Sequence, residues 1–433
     1  MADEKNWIRE AMFYHIYPLG FTGAPLRNEG EATAGGRILE VLDWIEHFKE
    51  LGINAIYFGP IFESVSHGYD TTDYYQTDSR LGSKEDFKKV FTALHENGIR
   101  VIVDGVFNHV GRKFFAFLDV QKNLEQSDYK DWFCNLNFSW QSPLGDSFSY
   151  ENWHGAAELV KLNLRNPAVC EHLLGAVGMW MDELGIDGLR LDAADCVDRE
   201  FFKRLHSFTK GKREDFWLMG EIIHGDYRVW ANDEMLDSVT NYECWKGIYS
   251  SHNDKNYFEI AYSLKRQFGQ GGLYENLCLY NFLDNHDVNR IGSLLKQREN
   301  LKNAYTLLYM KPGIPSIYYG SEWGIEGVKG QGMDADLPLR PKLDLEEMCA
   351  QETDLPAHIR ELAKIRKESD AVKYGAYDEV LVRNKQFVFA RRSGEQYKVI
   401  ALNLTDHAET LHFSYQGKEY EVLLEAYTSK IME

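Results

Sequence analysis

Basic residues are scarce in this sequence of 433 residues, and their scarcity excludes one class of partner. The chain has 48 Lys and Arg against 67 Asp and Glu, which gives a formal net charge of -19. Binding to nucleic acid needs clustered cations that displace counterions from the phosphates. We therefore expect no nucleic acid partner, and a neutral substrate fits this charge better.

Long apolar runs and paired cysteines are missing as well. The start, Met1 to Lys5, leads into polar sequence instead of the basic segment and apolar run of a signal peptide, and no stretch is long enough to span a bilayer. We therefore expect a cytoplasmic protein without a membrane partner. The cysteines form no Cys-x-x-Cys pair, which favours reduced thiols: Cys134, Cys170, Cys196, Cys244, Cys278 and Cys349.

What the sequence has in quantity is hydrophobic and aromatic residues, 44% and 14% of the chain. Such a chain buries a large core, and its length favours one large domain with one or two attachments. Aromatic rings also offer flat faces on which sugars stack, although core packing accounts for most of them.

Short apolar runs alternate with amphipathic helical stretches along most of the chain. Ser83 and Asp86 form a capping box that marks the start of one predicted helix, and Gly98 marks its end. This alternation predicts an α/β fold, a parallel (β/α)₈ TIM barrel. The predicted strands lie at residues 13–17, 53–58, 99–104, 188–192, 217–221, 238–242, 278–283 and 314–319, and helices at 168–184, 198–210, 294–310 and 358–367.

Two segments break the alternation and indicate attachments to the barrel. Residues 109–164 are too long and irregular for a simple connection, which predicts a small excursion domain after the third strand. Residues 373–433 change to short alternating runs, which predicts a C-terminal antiparallel β-sandwich domain. The barrel itself is then built from residues 1–108 and 165–372.

Acidic residues follow four of the predicted strands. The carboxyl ends of barrel strands meet at one mouth, so these side chains are expected to converge there. No hydrophobic core requires an acid at each of these ends. The polar residues at these ends and in the loop after the second strand are His67, Tyr69, Asp70, Asp104, Asn108, His109, Arg190, Asp192, Glu221, His286 and Asp287.

Three of these acids fit the cleavage of a glycosidic bond. That reaction needs one carboxylic acid to protonate the leaving oxygen and one carboxylate at the cationic sugar carbon. Arg190 lies on the same side of its strand as Asp192 and is expected to keep that carboxylate ionised. Glu221 ends an apolar strand, where burial favours the protonated acid. Asp287 adds a third charge.

Four short motifs, Asp104 to His109, Gly188 to Asp192, Gly220-Glu221 and Asn285 to Asp287, resemble those of the α-amylase family, glycoside hydrolase family 13. The resemblance implies α-glucan cleavage with retention, with Asp192 as nucleophile, Glu221 as general acid and base, and Asp287 as transition-state stabiliser. It also implies a sugar pocket lined by Tyr69, His67, Asp104, His109, Arg190, His286 and Arg340.

Two departures from the family pattern refine this expectation. Lys161 occupies the place of an aspartate that binds a structural calcium in many amylases, so that calcium site is expected to be absent and no cofactor to be required. The Lys161 version resembles the neopullulanase and cyclomaltodextrinase subgroup, which acts on short or cyclic maltodextrins. Asp195-Cys196 replaces the Lys-His that often binds leaving-group sugars. Asp70, Asp73 and Asp78 are candidate ligands for a metal elsewhere, but their position in a loop favours solvated acids.

The leading hypothesis is a retaining hydrolase of maltooligosaccharides, with cyclomaltodextrins or pullulan as further substrates. A 4-α-glucanotransferase is an alternative, because a sugar captures a covalent glucosyl-enzyme as readily as water does. A non-catalytic sugar-binding barrel is a remote one, since fold alone does not prove activity. The sequence leaves the oligomeric state and the preference between α-1,4 and α-1,6 bonds open.

Overall fold

A computed structural model describes residues 7–29, 36–332 and 334–433 of the chain. Eight short parallel strands form its centre. They are β1 (Phe13–Ile16), β2 (Ala55–Phe58), β3 (Arg100–Gly105), β4 (Gly188–Leu191), β5 (Trp217–Gly220), β6 (Ser238–Val239), β7 (Tyr280–Phe282) and β8 (Ile314–Tyr318).

The eight strands curl into a barrel. Their order in the sheet is β6-β5-β4-β3-β2-β1-β8-β7, and every neighbouring pair is parallel. A parallel bridge between Thr240 and Tyr280 connects β6 with β7 at the open side. The predicted (β/α)₈ barrel is confirmed, and the carboxyl ends of its strands meet at one mouth.

Helices surround the barrel and connect its strands. Among them, the predicted capping box forms, since Ser83 Oγ accepts from Asp86 N and the Asp86 carboxylate accepts from Ser83 N. The α-helices are Trp7–Glu10, Pro18–Phe21, Ile45–Glu50, Lys84–Glu96, Phe115–Asn123, Pro167–Met179, Arg199–Lys212, Tyr242–Asn253, Phe258–Phe268, Ile291–Leu294, Leu301–Met310, Leu345–Cys349, Leu355–Glu368 and Asp370–Tyr374. A 3₁₀ segment, Arg37–Trp44, and a π-helical segment, Trp180–Leu184, extend two of them.

Two predicted elements are shorter than expected, and in each case an asparagine side chain binds backbone groups where the regular structure stops. The strand predicted at 238–242 ends at Val239, because the Asn241 side chain caps the following helix by accepting from Cys244 N. The helix predicted at 294–310 is broken, because Asn253 accepts from Lys296 N and donates to Leu294 O. Both asparagines satisfy backbone groups that a longer element would have paired.

Two hydrophobic layers flank the barrel strands. Side chains such as Phe13, Tyr57 and Trp217 fill the barrel interior, while Leu189 and Leu191 face the surrounding helices. Arg190 therefore points to the interior, as the alternation of β4 predicts. None of the helices in the described ranges has the length and apolarity that a membrane span requires.

The excursion after β3 has a small sheet of its own, and its buried side chains join the large hydrophobic cluster around the barrel. Strand Ala156–Lys161 pairs with His109–Gly111 on one side and Asn152–Trp153 on the other, so that Lys161 lies opposite His109. Phe117, Phe133 and Phe148 pack beneath it. This sheet places the hairpin at residues 152–156 over the mouth of the barrel.

The C-terminal segment forms the predicted antiparallel domain. Its inner face packs Val388, Val399 and Leu411 into a separate hydrophobic cluster between two sheets. The first sheet contains Ala376–Val382, Gln386–Ser393, Gln396–Asn403 and Ser429–Met432, and the second contains Glu409–Tyr415 and Lys418–Leu424. A further hairpin, Phe62–Ser64 with Thr71–Thr77, follows β2.

Candidate active site

Arg190 is the centre of the polar residues at the barrel mouth. Its Nη1 donates to Asp104 Oδ1 at 2.8 Å and to Asp192 Oδ1 at 2.9 Å, and its Nη2 lies 2.8 Å from Glu221 Oε1. The Arg190 side chain is only 3% exposed. One planar guanidinium therefore fixes three carboxylates that come from three different strand ends.

The backbone between β4 and β5 also positions the two acids on Arg190. Glu221 N donates to Leu191 O at 2.9 Å, and Ala193 N donates to Glu221 Oε2 at 3.1 Å. Ala193 adopts a left-handed conformation with φ of 44°, which is unusual for a residue with a Cβ. This turn aims its N–H at the Glu221 carboxylate.

Asp287 approaches the same space from the loop after β7. Its Oδ2 lies 3.0 Å from His286 Nε2, and its Oδ1 accepts from Arg340 Nη2 at 3.0 Å. Burial by itself raises its pKa, but His286 and Arg340 outweigh burial and lower the pKa of Asp287 below its usual value. Asp287 is therefore ionised at neutral pH.

The pKa of Asp192 does not follow the expectation that Arg190 keeps this carboxylate ionised. Burial raises the pKa of this carboxyl well above its usual value, and Glu221, Asp104 and Asp287 raise it further, against the lowering by Arg190. The sequence predicted the Arg190 contact but not the degree of burial. In the ligand-free site, protonation of Asp192 is favoured more than in an ordinary aspartate.

Aromatic and histidine side chains pack behind the acids. Tyr69 Oη donates to Asp104 Oδ2 at 3.0 Å and also contacts His286 Nε2. His286 is stacked between Tyr69 and Tyr17, with ring centroids 5.3 and 5.9 Å away. Tyr57 Oη donates to Asp104 Oδ2 at 2.7 Å. These contacts fix the residues that face the cavity.

Burial suppresses the charge of two histidines near the acids. Burial lowers the pKa of His109 to about 3, and it lowers the pKa of His67 too. His109 Nε2 lies 3.9 Å from Asp192 Oδ2 and has no closer hydrogen-bond partner among the described residues. A neutral His109 is thus available to a hydroxyl group that enters beside Asp192.

The three acids face one cavity of about 1030 Å³. Of the residues predicted from sequence, Asp192, Glu221, Asp287, Tyr69, His67, His109 and Arg340 line it. Asp104, Arg190 and His286 lie behind this lining and contact it. The sequence thus identified residues that the fold brings together, although three of them are not among those that line the cavity.

Sequence reasoning missed several lining residues. Tyr17, Trp153, Ile223, Tyr242 and Trp245 line the cavity, and Tyr242 Oη donates to Glu221 Oε1 at 3.4 Å. Tyr17 follows β1 and Ile223 follows β5, so the rule that sites lie at strand ends was a usable signal for these two. Trp153 had no such signal, because it comes from the excursion domain.

Lys161, which stands in place of the calcium-binding aspartate of many amylases, forms an ion pair. Lys161 Nζ donates to Glu151 Oε1 at 2.6 Å, so a cation stands where an oxygen ligand would be needed. Among the residues described here, no group of three or more His, Cys, Asp or Glu side chains is placed to hold a metal ion. The absence of a structural calcium stays a prediction, which the Lys161 ion pair supports.

The prediction for Asp70 and Asp78 was wrong. Both are buried, at 5% and 1% exposure, because they pair with polar neighbours in the hairpin after β2. Asp78 accepts from Arg80 Nη2 at 2.6 Å, and Asp70 accepts from Ser66 Oγ at 2.7 Å. These acids support the hairpin instead of facing solvent.

Comparison with known proteins gives matches over most of the chain. A family model described as alpha amylase, catalytic domain, matches residues 15–361. Cyclomaltodextrinase from Bacillus sp. is 31% identical over 94% of this chain and 74% of its own length. Neopullulanase 2 from Thermoactinomyces vulgaris is 34% identical over 74% of this chain and 58% of its own length.

Solved structures resemble the whole fold. Cyclic alpha-maltosyl-(1→6)-maltose hydrolase from Arthrobacter globiformis, in its ligand-free form, matches with a TM-score of 0.86 and 26% identity over 99% of this chain and 98% of its own. The debranching enzyme from Nostoc punctiforme, soaked with acarbose, matches with a TM-score of 0.81 and 29% identity over 98% of both chains.

Proposed function

Because the chain belongs to the alpha-amylase family and is a glycoside hydrolase of the cyclomaltodextrinase, maltogenic amylase and neopullulanase type, we propose that it hydrolyses maltooligosaccharides by a retaining double displacement. One observation carries the proposal. Asp192 and Glu221 are both held by the guanidinium of Arg190, on one cavity that Asp287 also faces. Retaining enzymes need two carboxyl groups about 5 Å apart, and a shared guanidinium brings two carboxylates this close.

In the first step, Asp192 attacks the anomeric carbon while Glu221 protonates the leaving oxygen. The C–O bond to the leaving sugar breaks, and a covalent bond from Asp192 to the sugar forms. In the second step, Glu221 takes a proton from water as the water oxygen bonds to the anomeric carbon, and the bond from that carbon to Asp192 breaks. Asp287, ionised beside Arg340, stabilises the positive charge that develops on the sugar ring in both steps.

The proposed reaction requires a proton on Glu221 and an ionised Asp192 when the attack begins. In the ligand-free site, burial and the neighbouring acids raise the pKa of Asp192. Arg190 contacts both carboxylates, so it stabilises either ionised form and does not hold the proton at one site. We propose that the leaving oxygen, by accepting a hydrogen bond from Glu221, draws the proton to that residue.

The cavity supports a short glucan chain as substrate. Its volume of about 1030 Å³ suits an oligosaccharide better than a single glucose, and aromatic rings at Tyr69, Trp153 and Trp245 offer faces for stacking. Relatives named cyclomaltodextrinase and neopullulanase extend the proposal to cyclic maltodextrins and pullulan. A cytoplasmic location is also proposed, supported by the name of the intracellular maltogenic amylase of Bacillus subtilis, 30% identical over 85% of this chain.

Replacement of the proposed acid tests the function directly. Glu221→Gln keeps the shape of the side chain but removes its proton donor, so kcat on maltotriose should fall by about 10⁴-fold or more while maltotriose still binds. Glu243→Gln is the matched control, because Glu243 pairs with Arg266 and does not line the cavity. A Glu221→Gln enzyme with the turnover of its parent would overturn the assignment.

Transfer of the glucosyl group to another sugar is a second candidate function. Ile223, Tyr242 and Trp245 line the cavity together with Glu221, which faces the leaving sugar in the proposed reaction. These apolar and aromatic faces also suit an incoming acceptor sugar, which would compete with water. Products longer than maltotriose at low conversion would favour transfer, whereas glucose and maltose alone would favour hydrolysis. The non-catalytic alternative is not proposed for a chain with this enzyme family membership.

A further inference from the structure

Three basic side chains are buried together below the barrel, at the opposite end from the active site. Lys311 follows the helix Leu301–Met310, Arg366 belongs to the helix Leu355–Glu368, and Arg391 lies on the C-terminal strand Gln386–Ser393. Their exposures are 1%, 1% and 2%. The proposed glycosidase reaction uses none of them.

Backbone carbonyls bring the two arginines together. Arg366 Nη1 donates to Tyr309 O and Arg391 Nη1 donates to Met310 O, both at 3.0 Å. These two carbonyls are consecutive, and Lys311 is the next residue. The second nitrogen of each guanidinium donates to Gly313 O at 2.6 Å or to Gly375 O at 2.7 Å. Both guanidiniums therefore lie at the end of the helix Leu301–Met310, which Lys311 directly follows.

Several N–H groups of these cations have no acceptor. In the described part of the chain, Lys311 Nζ and the Nε atoms of Arg366 and Arg391 have no hydrogen-bond partner, although all three atoms are buried. Nor does any described carboxylate lie within 4.0 Å of these three side chains. Native proteins seldom leave buried donors unsatisfied, so each of these needs an explanation.

The protein supplies too little negative charge for this cluster. The end of the helix Leu301–Met310 contributes about half a negative charge. The nearby thiols of Cys244 and Cys278 contribute none, because burial raises the pKa of both and keeps them neutral. Burial, together with the charges of the two arginines, lowers the pKa of Lys311 to about 8. Burial also lowers the pKa of Arg366 to about 10 and that of Arg391 to about 9, but both values lie above neutral pH, so buried positive charge remains.

We propose that Lys311, Arg366 and Arg391 bind one small inorganic anion of the halide class, at the junction of the barrel and the C-terminal sheet. A halide accepts hydrogen bonds from any direction, so it suits single N–H groups that arrive from three separate elements. A halide is also smaller than phosphate, which suits a site among side chains that are at most 2% exposed. The anion would join the barrel to the C-terminal domain, because each supplies part of its binding site.

Thermal unfolding in different salts tests the proposal without substrate. At equal ionic strength, chloride should raise the melting temperature of the full chain above its value in isethionate by roughly 2–4 °C, and the rise should saturate with concentration. Lys311→Met should abolish the chloride dependence. Lys89→Met is the matched control, because Lys89 is exposed on a barrel helix and should leave the dependence unchanged. Equal melting temperatures in chloride and isethionate would overturn the proposal, as would stabilisation by phosphate alone.

Crystals of the parent protein grown in bromide give a second test that does not depend on folding of the variant. The anomalous difference map should show bromide within hydrogen-bond distance of Lys311 Nζ and the two Nε atoms. A map without bromide at this junction would refute the proposal, even if chloride stabilised the protein by other means.

Discussion

Arg190→Lys is the sharpest test of how the active site is held together. The guanidinium contacts Asp104 and Asp192 through Nη1 and Glu221 through Nη2. A lysine keeps the positive charge but has a single nitrogen, which cannot occupy both positions. At the position of Nη1, this nitrogen would keep the two aspartates and lose Glu221.

The expected cost follows from the contact that is lost. One charge-assisted hydrogen bond contributes about 1.5–3 kcal/mol, and the Glu221 side chain is only 12% exposed, so little solvent replaces the bond. The free energy of unfolding should fall by roughly this amount, as measured by urea denaturation at pH 7. Displacement of Glu221 should lower kcat/KM by about 10²-fold, since a shift near 1 Å has effects of this size.

Arg112→Lys provides a matched control. Arg112 binds Asp146 through two nitrogens, at 2.5 and 2.8 Å, so the same substitution also removes a bidentate contact, but within the excursion domain. It should lower stability modestly and leave kcat/KM near that of the parent. Our reasoning is refuted if Arg190→Lys unfolds within about 0.5 kcal/mol of the parent and retains its kcat/KM.

Three further predictions concern residues around the barrel. Tyr242→Phe removes a hydroxyl that donates to Glu221, so kcat on maltotriose should fall about tenfold with a smaller change in KM; an unchanged kcat would contradict this role. Glu322→Gln weakens buried contacts to Tyr14 and His47, so urea denaturation should show a loss of about 1–3 kcal/mol, with activity per folded molecule retained. The pKa of His109 is about 3 in the folded state, so below pH 6.5 the unfolded chain takes up a proton there that the folded chain does not. The free energy of unfolding should therefore fall by about 2 kcal/mol between pH 6.5 and 5, and His109→Gln should lack this part of the pH dependence.

The convergence of the acids could be predicted from sequence because two simple periodicities determine it. Alternation along a strand places Arg190 and Asp192 on one side, and parallel strands deliver Glu221 and Asp287 to the same mouth. Neither inference needs to know how loops fold. Trp153 could not be predicted, because its place over the cavity depends on the sheet of the excursion domain and on its pairing with the strand at His109.

Charge states in the site were harder to predict than positions, because they depend on burial from all sides. Asp192 lies two residues after Arg190 and was expected to be ionised, yet Asp104 and Glu221 share the same guanidinium and oppose that ionisation. Asp78 shows the converse, since a loop acid that looked solvated is buried on Arg80. A short sequence window shows one partner of a charge, whereas the fold supplies several.

The backbone of Ala193 joins the two strand ends that carry Asp192 and Glu221. A left-handed conformation costs a residue with a Cβ roughly 1–2 kcal/mol, so something in the fold must hold it. Asp192 N donates to Gly105 O and Ala194 N donates to Glu221 O, which fixes the chain on both sides of Ala193. The N–H of Ala193 is thereby directed at Glu221 Oε2. A hydrogen bond to an ionised carboxylate is stronger than one to the neutral acid. The Ala193 hydrogen bond therefore strengthens as Glu221 gives up its proton to the leaving oxygen, so the strained backbone of Ala193 favours that step of the proposed reaction.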